Sequence, residues 1–196
     1  MVFDPCPADL GCVTRWGTPQ VVLISHPHRG HSCIEGLPGN ARVFTGPGEY
    51  EVGGAFITGL GCFHDDQHGA SRGKNTVYVV EMEGVRLCHA GDLGHPPAAT
   101  TLKEMGKVDI LFVPVGDVTT FSVAEARALV RALQPRYVMP MHYRTEHARP
   151  DLEPVDTFVT AMGLQPSEPR SRISVSSTSL PLNMQVAVMT CEGRVG

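Results

Sequence analysis

Apolar residues fall into two patterns along this chain, and the switch between them divides it. The first half carries short continuous runs. "QVVLIS" (20–25) predicts a strand buried on both faces, as does "VDILFVPVG" (108–116). "RVFT" (42–45) and "AFITGL" (55–60) predict two more strands, separated by "GPGEYEVGG", whose glycines and proline read as a turn. "NTVYVVEMEGVRLCHAGD" (75–92) reads as a hairpin that reverses at Glu83-Gly84. The period then lengthens. "SVAEARALVRAL" (122–133) has apolar residues at helical spacing, with Ser122 and Glu125 as a capping box and Pro135 as the stop. "RYVMPMH" (136–142) returns to strand, "EPVDTFVTAMG" (153–163) is a second helix, and "NMQVAVMT" (183–190) is a last strand. With no repeat and no linker, residues 1–196 read as one domain. Strands first, then strand–helix alternation, predict an α/β layered sandwich.

Composition narrows the function classes. Hydrophobic content of 42% and charged content of 18% fit a globular protein, and 21 glycines with 16 prolines imply many turns. A formal net charge of -4 offers no basic field for nucleic acid. No apolar run is long enough to span a membrane, and "MVFDPCPADLG" lacks the pattern of a signal peptide. The six cysteines (Cys6, Cys12, Cys33, Cys62, Cys88, Cys191) form no C-x-x-C pair and read as reduced. Together these predict a cytoplasmic setting.

The chemistry concentrates at strand ends. "ISHPHRGHS" places His26, His28 and His31 directly after the apolar run. In a strand, side chains at i and i+2 share a face, so His26 and His28 point the same way, and Arg29-Gly30 can turn His31 toward them. Three converging imidazoles suit a divalent metal; the bland alternative is a polar loop with incidental histidines. Further apolar runs terminate at His64 in "GCFHDD", at Asp92 in "VRLCHAGD" and at His142 in "RYVMPMH". Functional loops of a layered α/β fold sit at such ends.

"SHPHRGH", "FHDD", "HAGDLGH" and "PMHY", in that order, resemble the metallo-β-lactamase superfamily. More narrowly they are similar to its predicted metal-dependent hydrolases, the branch that includes L-ascorbate-6-phosphate lactonases. "GPGEYEVGGAFITGL" and "LEPVDTFVTAMG" resemble the same branch. The resemblance implies a four-layer αββα sandwich. It also implies a first metal on His26, His28 and His64, a second on His31 and His142, and Asp92 bridging the two. Asp4, in "FDP", matches the acid that props the histidine motif from behind. One or two divalent ions are implied, with zinc favoured by histidine-rich ligation and manganese or iron accepted. They would activate water against an ester, lactone or phosphoester of a small-molecule substrate.

Two departures matter. The family pattern H-x-H-x-D-H has Gly30 at its Asp position, which removes one carboxylate from the second metal site; Asp65 is the nearest candidate to compensate. The chain also begins at "MVFDP", without the family's usual N-terminal strand pair, so the sheet has an edge for a second copy to cover, or the start is truncated. Asp92, His31 and Asp65 are thus the catalytic candidates. The alternative function is a metal-binding but catalytically silent member of the fold with a structural or partner-binding role. His89 is weighed as a group that orients a ligand or as a packed residue, His95 as a replacement for the lost ligand, His68 and His147 as solvated, and Tyr143 as a packed residue with a donor to a substrate oxyanion as the alternative. Arg42, Arg72, Lys74 and Arg144 read as ordinary surface charge.

Overall fold

The computed structural model describes residues 1–10, 17–37, 39–146, 150–165 and 168–190. Its strands form two sheets. The smaller is parallel and joins β1 (Val2–Phe3), β2 (Val21–Ile24) and β3 (Arg42–Thr45) in that order. The larger contains β4 (Gly48–Val52), β5 (Ala55–Phe63), β6 (Lys74–Met82), β7 (Val85–His89), β8 (Ile110–Pro114), β9 (Tyr137–Met141) and β10 (Gln185–Val186), with spatial order β10-β9-β8-β7-β6-β5-β4. From β4 to β7 the pairing is antiparallel, and from β7 to β10 it is parallel. The α-helices α1 (Ala99–Met105), α2 (Val123–Leu133) and α3 (Val155–Ala161) follow in the second half.

Strand parity sorts the core. In β6, Val77 and Val79 pack with Cys88, Leu111, Val113, Met105 of α1, Leu129 and Val130 of α2 and Phe158 of α3. The alternate residues Tyr78 and Val80 pack with Val21 and Leu23 of the smaller sheet and with Ala55 and Ile57 of β5. The large sheet is therefore covered by helices on one face and by the small sheet on the other, an α/β sandwich. In the small sheet, all four residues of β2 are buried, which matches its unbroken apolar run. A third cluster covers Ile110 and Met139 with residues of the tail, among them Ile173, Val175 and Leu180.

Three local readings change. The "GPGEYEVGG" segment is a turn only at its ends: β4 occupies its middle and pairs with β5 across Gly53 and Gly54, both at positive φ. Helix α1 was not signalled, because "ATTLKEM" carries two threonines and buries only Met105. The last strand is short, just β10. Cys33, Cys62 and Cys88 are free thiols, whereas Cys6, in a half-buried loop, is disulfide-bonded, against the expectation of six reduced cysteines. Among the described residues, no helix is long and apolar enough to cross a membrane.

Because β5 and β7 both run antiparallel to β6, and β8 and β9 run parallel to β7, the C-terminal ends of β5, β7 and β9 share one edge. His64, Asp92 and His142 lie just past those three ends.

Candidate metal centre

Four strand ends deliver six side chains to one place. His26, His28 and His31 follow β2; His64 follows β5; Asp92 follows β7; His142 follows β9. Their ligand atoms form two groups, His26–His28–His64 and His31–Asp92–His142, with members of each within 4.8 Å of one another.

Asp92 Oδ2 stands between them. It lies 3.2 Å from His64 Nε2, 3.4 Å from His142 Nε2, 3.5 Å from His31 Nε2 and 3.7 Å from His26 Nε2. One oxygen does not accept four hydrogen bonds, and three of these separations exceed the usual 2.7–3.2 Å range. The spacing suits shared coordination: two donors each about 2.1 Å from a tetrahedral zinc stand about 3.4 Å apart. Among the described residues, His26 Nε2, on the side of its ring that faces Asp92, is buried with no hydrogen-bond partner. A buried imidazole lone pair without a donor is costly unless a cation takes it. The donor set therefore fits divalent ions, which Asp92 would share.

Electrostatics prepare these groups as ligands. Burial, outweighing the pull of Asp92, lowers the His26 pKa to about 3, and burial likewise lowers His28 and His142. Neutral imidazole is the form that binds metal. Burial would raise Asp92, but the hydrogen bond from His64 and the charges of His142, His31 and His26 hold it below the ordinary carboxylate range. His31 goes the other way: burial lowers it, yet Asp4 and Asp92 raise it above its usual value.

The backbone around the ligands is held by groups that sequence reasoning did not single out. Asn75 Oδ1 accepts the Asp92 amide at 3.0 Å, and Asn75 Nδ2 donates to the Ala90 carbonyl at 2.9 Å. His142 sits at φ +53°, an unfavourable conformation for a non-glycine residue. Gly116 makes room for it, since a Cβ there would lie 1.9 Å from the His142 carbonyl oxygen. At Gly94 a Cβ would similarly lie 2.3 Å from the His64 carbonyl oxygen. Asp4 behaves as the resemblance implied: its carboxylate accepts from the Ser25 amide at 2.7 Å and the Ser25 hydroxyl at 2.6 Å, and meets His31 Nδ1 at 3.2 Å.

Other candidates are placed elsewhere. Asp65, expected as a compensating carboxylate, turns both oxygens to its own loop. It accepts the amides of Gln67, Gly69, Ser71 and Arg72 at 2.7–3.0 Å, and it belongs to neither ligand group. His95 Nε2 accepts the Phe63 amide at 3.2 Å, and His89 Nδ1 accepts the Gly91 amide at 3.2 Å while its ring stacks on Phe3. Tyr143 donates to the Met189 carbonyl at 3.4 Å. His68 is exposed, and His147 lies outside the described residues. Arg72 reaches the carbonyls of Thr119 and Val118. At Gly30, which is not at positive φ, a Cβ would meet only Leu10 Cδ1, at 3.8 Å.

Comparison with known proteins agrees with this geometry. Residues 1–142 match the family model described as "Beta-lactamase superfamily domain". A UPF0173 metal-dependent hydrolase of Thermococcus onnurineus is 35% identical over 114 residues, covering 57% of this chain and 51% of that one. One from Deinococcus radiodurans is 30% identical over 166 residues, 71% of each chain. A solved structure from Thermotoga maritima, described as a Zn-dependent hydrolase of the metallo-beta-lactamase superfamily, has a TM-score of 0.70 at 36% identity, covering 88% of this chain and 82% of that one. The matches span about half the length of the first curated relatives, 51% and 45%. With the family match running through all six candidate ligand positions, the chain belongs to the beta-lactamase superfamily, in its metallo-beta-lactamase fold.

Proposed function

We propose that this chain is a metal-dependent hydrolase that cleaves an ester, lactone or phosphoester of a small molecule. The observation that carries the reading is the single Asp92 oxygen set 3.2–3.7 Å from four imidazole nitrogens. The relatives are named metal-dependent hydrolases, which supports the same reaction class. His26, His28 and His64 would hold one divalent ion, His31 and His142 the other, and Asp92 both; histidine-rich ligation favours zinc over manganese or iron.

A bound divalent ion supplies Lewis-acid polarisation of the scissile group and lowers the pKa of water toward neutrality. The chain's own contribution is positioning. Asp92 is 3% exposed and stays anionic, so it carries no proton in the neutral pH range. His28 is exposed and His31 and His142 are half-buried, so the open face of the centre, where substrate would enter, lies on their side. His31 is held by its Nδ1 contact to Asp4 at 3.2 Å, which leaves its Nε2 facing Asp92 at 3.5 Å, so its role in this centre is as an oriented ligand. The cytoplasmic setting, and a second copy covering β1, an edge strand among the described residues, complete the reading.

Gly30 favours a second reading, in which metal is held without turnover, because the second ion would have one carboxylate fewer. Elemental analysis of protein purified without chelator, run beside hydrolysis of p-nitrophenyl acetate and bis(p-nitrophenyl) phosphate, separates the two. About two zinc ions per chain with metal-dependent turnover is the expected result. Bound metal with only the buffer rate would establish the silent reading. No bound metal would refute both.

A further inference from the structure

We infer that Ser25 is a positioning residue: its hydroxyl relays the Asp4 carboxylate to His26 and fixes the tautomer in which that imidazole meets the metal. The inference rests on the metal centre proposed above and deepens it.

The argument is one of hydrogen-bond direction. Ser25 Oγ lies 2.6 Å from Asp4 Oδ2 and 2.9 Å from His26 Nδ1. A serine hydroxyl has one proton, and a carboxylate oxygen only accepts, so the proton goes to Asp4. The oxygen facing His26 is then an acceptor, and His26 Nδ1 must donate. With its proton on Nδ1, His26 presents a bare lone pair at Nε2, the buried atom left without a hydrogen-bond partner. His31 reaches the same result without a relay, its Nδ1 donating to Asp4 Oδ2 at 3.2 Å. One carboxylate thus sets two histidines, each serving a different ion, directly in one case and through a hydroxyl in the other. The packing leaves space for this serine: a Cβ at Gly91, at φ +58°, would lie 2.6 Å from Ser25 Cβ and 2.8 Å from its Oγ.

The relay predicts an asymmetry that a general packing role does not. Removing the hydroxyl disturbs only His26, and hence only the first ion, whereas removing the Asp4 charge disturbs both. Nitrogen-15 NMR on histidine-labelled, metal-free protein reads the tautomer directly, and zinc titration against a chromophoric chelator reads both sites. The native chain is expected to show His26 protonated at Nδ1. Ser25→Ala should lose that preference and weaken the first zinc site by about 10–100-fold, with the second unchanged. Ser25→Thr should restore both readings, and Asp4→Asn should weaken both sites. An unchanged tautomer and native affinity in Ser25→Ala would overturn the relay. Equal weakening of the two sites in that variant would overturn it as well, leaving a structural role only. If the native chain binds no zinc, the proposed function falls, and the tautomer measurement alone decides the relay.

Discussion

Replacing Gly116 by alanine tests whether the His142 limb of the centre depends on backbone contact. The added Cβ would lie 1.9 Å from the His142 carbonyl oxygen, 3.0 Å from its carbonyl carbon and 3.3 Å from Tyr143 Cα. Cβ atoms do not approach backbone closer than about 3.0 Å, so one segment must move by at least about 1.1 Å. Neither side can yield without loss. Gly116 accepts the Glu153 amide through its own carbonyl at 2.9 Å, and the adjoining Val115 amide donates to Met141 at 3.0 Å. Metal constellations tolerate misplacements of about 0.5 Å, so the His142 ring leaves coordination range. Overpacking of this kind costs about 1–3 kcal/mol, which for a chain of this size lowers Tm by roughly 2–12 °C. The expected outcome is a folded variant holding one zinc ion instead of two, measured by elemental analysis and thermal unfolding. Gly39→Ala is the control, since a Cβ there meets nothing within 4 Å. Two retained zinc ions with native Tm in Gly116→Ala would refute the dependence of His142 on that close approach.

Gly30→Asp should fold normally, because its Cβ has space and its φ is not positive, and should tighten the second zinc site; an unchanged second affinity in a chelator titration would mean that the carboxylate does not reach it. For metal-free protein, His26 has its pKa lowered from 6.5 to about 3, so the unfolded chain binds the proton first. Stability from this group is therefore complete above about pH 6.5 and lost as pH falls toward 3, with a slope of at most about 1.4 kcal/mol per pH unit. His28, His89 and His142 act in the same sense, His31 in the opposite one, and denaturant titrations between pH 4 and 8 should show stability rising with pH. Asp65→Ala should lower Tm and speed hydrogen exchange at Gln67, Gly69, Ser71 and Arg72, whose amides lose their acceptor; unchanged exchange would refute its role in the loop.

The sequence exposed those features whose signal is local. The apolar run of β2, the Glu83-Gly84 hairpin and the Ser122–Glu125 capping box each depend on neighbours a few residues away, and all appear as read. β4 was hidden because its flanking glycines and Pro47 dominate the composition, while the alternation in "GEYEV" that makes it a strand spans only five residues. The imidazoles and Asp92 stood out because polar residues at the ends of apolar runs are conspicuous. The groups that aim them were not conspicuous. Asn75 acts on Asp92 across 17 positions and Ser25 on Asp4 across 21, and Gly116 matters only through space it leaves for a residue just past the end of β9. Asp65 shows the converse error: a carboxylate beside a ligand in sequence, yet turned away from it by four amides of its own loop.

The ligands come from both sheets. His26, His28 and His31 extend the small sheet, while His64, Asp92 and His142 extend the large one. Ions held between them would act as a reversible cross-link between two layers whose remaining attachment includes the apolar contact of Val21 and Leu23 with Ile57, Tyr78 and Val80. Chelation would then do more than remove a reagent. It would release the clamp across the layers, and the segment from β1 to β3 should become the first to admit protease, setting the lifetime of the folded chain by metal supply as well as by its core.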